Sequence, residues 1–292
     1  MRAALVRAVG HRPLLYVRPL SDRKRDRAGQ CAVCGANTTF AFNSWVVPDD
    51  MKREWRTSGL DEALMARETM YCRRCCASLR VRRLAQVLVL HYAERAASAA
   101  ALVDESSFRN LEIAEINSAG ALHTVLERHP RLRYSEFREG AAPGSVVGGV
   151  RNEDVSRLTY EDASLDLVLT ADTLEHVPDY RRALQEIRRV LRPGGRHIFT
   201  VPAMPTRRET RTRVTVADDG GLQFNAPAQY HGCGSGPLAL VSPTRSDFLA
   251  YHDFGMDLAE KLEGLGFRAE THFYRESDPD SDAAVVFCSE AV

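Results

Sequence analysis

Two C-x2-C pairs, Cys31-Ala32-Val33-Cys34 and Cys72-Arg73-Arg74-Cys75, have the residue type and spacing to bind a metal. Each pair suits a tight knuckle turn that aims two thiolates at one point, and two knuckles supply the four sulfurs of a tetrahedral zinc ion. Four cysteine ligands leave no open coordination position, so the expected metal is structural. Cys76 adjoins the second knuckle and could replace Cys75 as the fourth ligand. The 37 residues between the pairs must fold back on themselves, and Met51–Arg67, with Trp55, Leu60 and Leu64, has the helical content to do so. A redox role would want a neighbouring strand-helix unit, which neither pair has. A set of reduced core cysteines is the plainer alternative, and a disulfide network is disfavoured in a cytosolic chain.

A second constellation runs from Leu111 to Pro202. Glu136 and Asp154 each follow an apolar run, and a third run, Leu165–Leu169, leads into Asp172, Glu175 and His176. An acid at the end of a second strand, about 20 residues beyond a glycine turn, can accept hydrogen bonds from both hydroxyls of a ribose. Asp154 could accept from an adenine amino group while the Val155 amide donates to the ring. Gly120 permits close backbone approach and opens a helix whose N-terminus offers amide donors. The simpler readings are that Glu136 is merely exposed and that Asp154 caps a turn. His176 and His231 are the candidate general bases, since an ordinary imidazole titrates near neutral pH; a structural histidine is the alternative for each. Arg207, Arg208 and Arg211 could clamp an acidic substrate, against the plainer reading of a solvated loop face. His231 and Cys233 alone are too few for a second metal site.

Periodicity indicates which elements must position these groups. Arg82–Val103 reads as a helix, with Leu84, Val87, Leu88 and Tyr92 at helical spacing. After it, apolar runs alternate with helical patterns through Leu111–Ile116, Ala121–Leu126, Leu132–Phe137, Leu165–Thr170, Tyr180–Leu191 and His197–Val201. That alternation predicts a mostly parallel sheet covered on both faces. Tyr251–Leu265 reads as a further helix, with Phe254, Leu258, Leu262 and Leu265 buried. Arg268–Tyr274 and Ala283–Ser289 read as two closing strands around the turn Ser277-Asp278-Pro279-Asp280.

Composition is that of a soluble globular protein, with 44% hydrophobic and 27% charged residues. No apolar run approaches the ~18 residues of a spanning helix. The N-terminus reads as a mature start, not a signal peptide, so the cytoplasm is the expected compartment. Net charge is zero, but residues 1–90 carry 17 basic and 8 acidic side chains. That excess is either a solvated face paired with the acidic remainder or a contact for an anionic partner such as nucleic acid. No basic stripe interleaved with aromatics accompanies it.

Ile113-Ala114-Glu115, Gly120, Ser135-Glu136-Phe137, Glu153-Asp154, Leu158-Thr159-Tyr160, Ser164-Leu165-Asp166-Leu167-Val168, Glu175-His176-Val177 and Val190-Leu191-Arg192-Pro193-Gly194-Gly195 together resemble the successive motifs of class I S-adenosylmethionine (SAM)-dependent methyltransferases, in the branch called type 11. The resemblance covers Leu111–Pro202 well and the last strands loosely. Two departures stand out. Most glycines of the first motif are replaced, and the segment between Phe137 and Val150 is too short and Gly/Pro-rich for the usual helix. The N-terminal part is similar to the Cys-x2-Cys modules that precede such domains in some bacterial methyltransferases. The resemblance implies an α/β, Rossmann-like class I methyltransferase sheet flanked by helices, with a small N-terminal zinc-binding module.

The expected organisation is a zinc module over residues 1–81, a linking helix over 82–108 and a SAM-binding domain over 109–292 with a substrate lid at 203–247. SAM would be held by Glu115, Gly120, Glu136, Phe137, Asp154, Val155 and Asp172, and structural zinc by Cys31, Cys34, Cys72 and Cys75. The expected activity is methyl transfer to a small molecule, at a hydroxyl, with no membrane partner and no indicated oligomeric state. The alternatives are an RNA methyltransferase that reads its substrate through the basic zinc module, and an inactive SAM-binding scaffold.

Overall fold

The computed structural model describes residues 20–44, 53, 56, 62–203, 205–230, 248–272 and 284–292. His231, Cys233, most of Met51–Arg67 before Glu62, residues 204 and 231–247 of the expected lid and the turn at Ser277–Asp280 lie outside the described residues. Among the described residues, no helix is long and apolar enough to cross a membrane.

The chain opens with a short helix α1 (Leu20–Arg23) and strands β1 (Arg27–Gln30) and β2 (Asn37–Phe42). Helix α2 (Glu62–Thr69) runs directly into β3 (Met70–Cys72), which completes an antiparallel sheet in the order β1-β2-β3. Helix α3 (Leu79–Tyr92) starts where the Ser78 hydroxyl accepts from the Val81 amide. It buries Leu79, Val81, Leu84, Ala85, Val87 and Leu88 along one stripe. The sequence predicts this helix to continue to Val103, but it ends at Tyr92. The Glu105 carboxylate accepts from the amides of Glu94, Arg95 and Ala96 at 2.9, 2.9 and 2.6 Å, which withdraws them from any helical ladder. The chain then restarts in the short helices α4 (Ala99–Leu102) and α5 (Ser106–Arg109).

The main sheet is built from β4 (Ile113–Ile116), β5 (Leu132–Glu136), β6 (Val146–Val147), β7 (Val150–Asn152), β8 (Leu165–Ala171), β9 (Leu191–Thr200), β14 (Phe267–His272) and β15 (Val286–Ala291). Its order is β14-β15-β9-β8-β4-β5-β7-β6. Strands β9, β8, β4, β5 and β7 are parallel, and β15, β14 and β6 run against them. Between β4 and β5 a 3-10 turn leads into helix α6 (His123–Leu126). Between β5 and β7, where the sequence has no room for a helix, the chain forms the β6-β7 hairpin through Gly148 and Gly149. Helix α7 (Tyr180–Val190) connects β8 to β9, capped by the Asp179 carboxylate on the Arg182 amide.

Short pairs β10 (Arg211–Thr212) with β13 (His252–Asp253), and β11 (Val214–Val216) with β12 (Leu222–Phe224), follow β9. The predicted helix Tyr251–Leu265 is shorter, confined to α8 (Leu258–Glu263). The Met256 and Asp257 amides donate to the Arg207 and Arg208 carbonyls instead. Gly255 makes that pairing possible, because any Cβ there would lie 2.4 Å from the Glu209 backbone. Phe254, Leu258 and Leu262 are still buried as the pattern requires.

Two cores result. One packs α7 and α8 against one sheet face through Leu184, Ile187, Leu258, Val168 and Phe287. The other joins the cysteine knuckles and α3 to the opposite face, placing Cys31, Val33, Met70, Leu84 and Leu88 in one cluster with Ile113, Leu167, Ile198 and Val286. The cysteine-bearing segment thus shares its core with the sheet. Its arginines are turned inward as well: Arg73 pairs with Asp26, Arg80 with Glu68, and Arg82 lies 3.6 Å over the Phe40 ring. This internal pairing accounts for part of the basic excess noted in the sequence.

Candidate functional site

The crevice lies where the sheet order reverses. From β4 the chain goes first to β5 on one side and later to β8 on the other, and ligands of open α/β sheets sit at the carboxyl ends of the strands at such a switch point. Asn117, immediately after β4, spans the gap. Its Oδ1 accepts from the Phe137 amide at 3.1 Å on the β5 side, and its Nδ2 donates to Thr173 Oγ1 at 3.4 Å on the β8 side. Asn117 has φ 61°, a left-handed conformation that asparagine tolerates better than most side chains. It therefore does conformational work that a glycine could do, which is how the loop closes without a glycine-rich first motif.

Glu115, expected at the cofactor, is instead buried beneath this loop. Its two oxygens accept from the Ala119 amide at 2.8 Å and face His123 Nδ1 at 2.6 Å. A carboxylate with no exposed surface orders the turn from below, and it uses one of the amides expected to face a ligand. The hydrogen bond that His123 donates to Glu115 raises the His123 pKa above its ordinary value, against the opposing effect of burial. Gly120 begins the 3-10 turn with φ 63°.

Glu136 ends β5 at the crevice, partly exposed. Tyr134 donates its hydroxyl proton to Oε1 at 2.5 Å, and Arg138 Nη2 donates to Oε2 at 2.9 Å. Phe137 follows with its ring exposed. Strand β7 ends at Asn152, ahead of the expected Asp154, and Asn152 is directly opposite Glu136. Asp154 Oδ1 accepts from the Ser156 amide at 2.9 Å, so this carboxylate caps the turn that carries the buried Val155. Of the two readings of Asp154 open in the sequence, the geometry displays the turn cap.

Asp172, just past β8, has φ 51° and is fully engaged by protein groups. Arg67 from α2 grips both oxygens, Nη2 to Oδ1 at 2.5 Å and Nη1 to Oδ2 at 2.7 Å. Arg80 Nε lies 3.2 Å from Oδ2, and the Thr200 hydroxyl donates to Oδ1 at 2.8 Å. Burial alone would raise the Asp172 pKa, but the two guanidinium groups outweigh it and hold the carboxyl well below the usual range. Asp172, expected among the residues that hold SAM, is the anchor of an ion-pair network. Neighbouring Glu175 is fully buried, and burial together with the Asp172 charge pushes its pKa well up. Arg67 and Arg80 were not expected at this place, because both come from the cysteine-bearing segment.

His176 ends a 3-10 turn after β8. Its Nδ1 donates to the Leu249 carbonyl at 3.1 Å, which leaves Nε2 as the acceptor nitrogen. Burial lowers its pKa. His231 lies outside the described residues.

The cysteine cluster assembles as expected. Sγ of Cys31 is 3.7 Å from Sγ of Cys75, and Sγ of Cys34 is 3.9 Å from Sγ of Cys72, with all four sulfurs within 4.8 Å of one another. Zinc–sulfur bonds of ~2.3 Å in a tetrahedron give sulfur–sulfur edges of about 3.8 Å. The four residues therefore fit a closed zinc site. The two knuckles repeat one another: the Gly35 amide donates to the Cys31 carbonyl at 2.8 Å, and the Cys76 amide to the Cys72 carbonyl at 2.9 Å. Gly35 has φ 75° and Cys76 φ 63°. Cys76 thus occupies the turn-closing position of Gly35, and Cys75 takes the ligand position.

Parts of the chain are similar to known proteins. A family model described as a methyltransferase domain matches residues 112–199. Sarcosine/dimethylglycine N-methyltransferase of Halorhodospira halochloris is 51% identical over 82 residues, 28% of this chain and 28% of that protein. Demethylmenaquinone methyltransferase of Staphylococcus haemolyticus is 43% identical over 53 residues, 18% of this chain and 22% of that protein. The chain thus spans less than a third of the length of these curated relatives. Among solved structures, the Burkholderia thailandensis 1,6-didemethyltoxoflavin-N1-methyltransferase with bound S-adenosylhomocysteine is similar at 16% identity and a TM-score of 0.41, covering 90% of this chain and 100% of that one. Residues 112–199 are thus similar to methyltransferase domains.

Proposed function

We propose that this protein transfers a methyl group from SAM to a hydroxyl of a small molecule. The observation that carries the reading is Glu136: a partly exposed carboxylate at the end of β5, beside the switch point, where it can accept from the ribose hydroxyls. When bound, SAM supplies an electrophilic methyl on a sulfonium sulfur. Asn117 and the Glu115-ordered loop shape the cleft, and the Asp172 network fixes the opposite wall. Displacement at a methyl carbon asks mainly that the nucleophile be held close and in line. His176 Nε2 takes the proton of the acceptor hydroxyl, a task suited to an imidazole that burial keeps neutral.

A small-molecule acceptor is supported by the substrates for which the relatives are named and by the inward pairing of the N-terminal arginines, which leaves less charge for a nucleic acid. The cysteine site would hold structural zinc through Cys31, Cys34, Cys72 and Cys75. Calorimetry with S-adenosylhomocysteine tests the core of the reading: Glu136→Ala should weaken binding by more than about tenfold, or ~1.4 kcal/mol. Unchanged affinity would refute the ribose assignment. An acceptor panel that is methylated only at nitrogen or carbon would refute the hydroxyl.

A further inference from the structure

Three side chains away from the crevice converge at the end of α3. His91 stands in the last turn of that helix. Glu270 and His272 lie two residues apart on edge strand β14, and residues at that spacing share one face of a sheet. His91 Nε2 lies 3.4 Å from His272 Nε2 and 3.6 Å from Glu270 Oε2, and His272 Nε2 lies 3.4 Å from the same oxygen. The two imidazole rings meet edge to face, with centroids 5.4 Å apart at 82°.

A shared proton explains this arrangement poorly. Each imidazole Nε2–H can donate to the Glu270 carboxylate, which serves two edges of the triangle but leaves the two nitrogens facing one another at 3.4 Å with no proton to share. A cation at the centre serves all three. Zinc bound by imidazole and carboxylate at about 2.0–2.1 Å has donor–donor edges of roughly 3.3–3.4 Å in a tetrahedron. The three observed edges are nearly equal and close to that size. The histidine side chains are 13% and 17% exposed, whereas Glu270 is 54% exposed. The fourth apex therefore opens toward solvent on the glutamate side.

We propose that His91, Glu270 and His272 form a second metal site for a divalent cation of the zinc type. Two imidazole nitrogens and one carboxylate oxygen suit zinc or its late first-row neighbours and do not suit calcium or magnesium. Three protein ligands leave one position for water or an exogenous ligand, unlike the closed four-cysteine set. The site depends on neither the SAM cleft nor the methyl-transfer reading.

Untagged full-length protein dialysed against a mild chelator, assayed for zinc and then titrated with Zn2+ by calorimetry tests this. The expected result is one further equivalent bound beyond the zinc retained after dialysis. His91→Ala, His272→Ala and Glu270→Gln should each weaken that event by more than about tenfold while leaving the retained zinc unchanged. Glu270→Gln keeps shape at an exposed position, so its effect is read on a folded chain, which circular dichroism verifies. No uptake by the wild-type chain, or uptake unaltered in all three variants, would overturn the proposal.

Discussion

Arg67 and Asp172, 105 positions apart in sequence, form a two-pronged ion pair at 2.5 and 2.7 Å. Arg67 is buried and Asp172 is largely so, and the pair ties α2 to the end of β8. Breaking a buried ion pair by removing one partner commonly costs about 3–5 kcal/mol, and here Arg80 stays beside Asp172, so the low end is expected. Arg67→Met should therefore lower stability by about that amount in urea unfolding. Arg67→Met combined with Asp172→Asn should recover much of the loss; a double variant as unstable as the sum of its singles would deny the coupling.

The repeated knuckles make a pointed prediction about two adjacent cysteines. Cys75→Ser should lose the zinc, because it removes a ligand of the four-sulfur set. Cys76→Gly should keep the zinc, and gain stability of up to ~1 kcal/mol by relieving a left-handed residue. Metal content and thermal unfolding of both variants settle which is the ligand.

The bond between Glu115 and His123 makes the cleft sensitive to base. The folded pKa of His123 is raised above 6.5 by that bond. Its contribution is therefore fully present below that pH and fades as pH rises through the folded value. Affinity for S-adenosylhomocysteine should fall correspondingly on the alkaline side, and His123→Gln should flatten the profile. An identical alkaline decline in the variant would assign it elsewhere.

His176 should report itself on the acid side. Burial lowers its pKa from 6.5, so the imidazole stays neutral and able to accept a proton to lower pH than usual. The acid limb of kcat/KM is expected below pH 6.5, and His176→Gln should reduce kcat by about 100-fold or more. A limb above that pH, or a variant with full activity, would remove His176 from the reaction.

The alternation of apolar runs made the parallel sheet legible, because strands and helices carry different periods and each local pattern survived in the fold. The helix ends were less so. Arg82–Val103 has continuous helical spacing, yet the carboxylate of Glu105 halts it through three amides, a long-range choice that periodicity does not encode. Tyr251–Leu265 failed in the same way, through backbone pairing with residues 207 and 208. At the crevice, the acids were found from their positions at strand ends, but position alone could not tell a surface acid such as Glu136 from a buried support such as Glu115. Arg67 and Arg80 were beyond sequence reasoning, since their partner is recognised only when the two cores are brought together. Asn117 could have been found: an asparagine directly after a strand, where a glycine is wanted, is a known signal for left-handed backbone.

The short run from Arg67 to Cys72 links two sites through one stretch of backbone, with α2 passing into β3 without a break. Arg67 holds the acid on the crevice wall, and Cys72 is one of the four sulfurs. If metal binding at the sulfurs shifts the affinity of the crevice for its ligand by some factor, thermodynamic reciprocity requires that the ligand shift metal affinity by the same factor. Zinc supply and methyl-donor supply would then be read by one molecule as a single combined quantity.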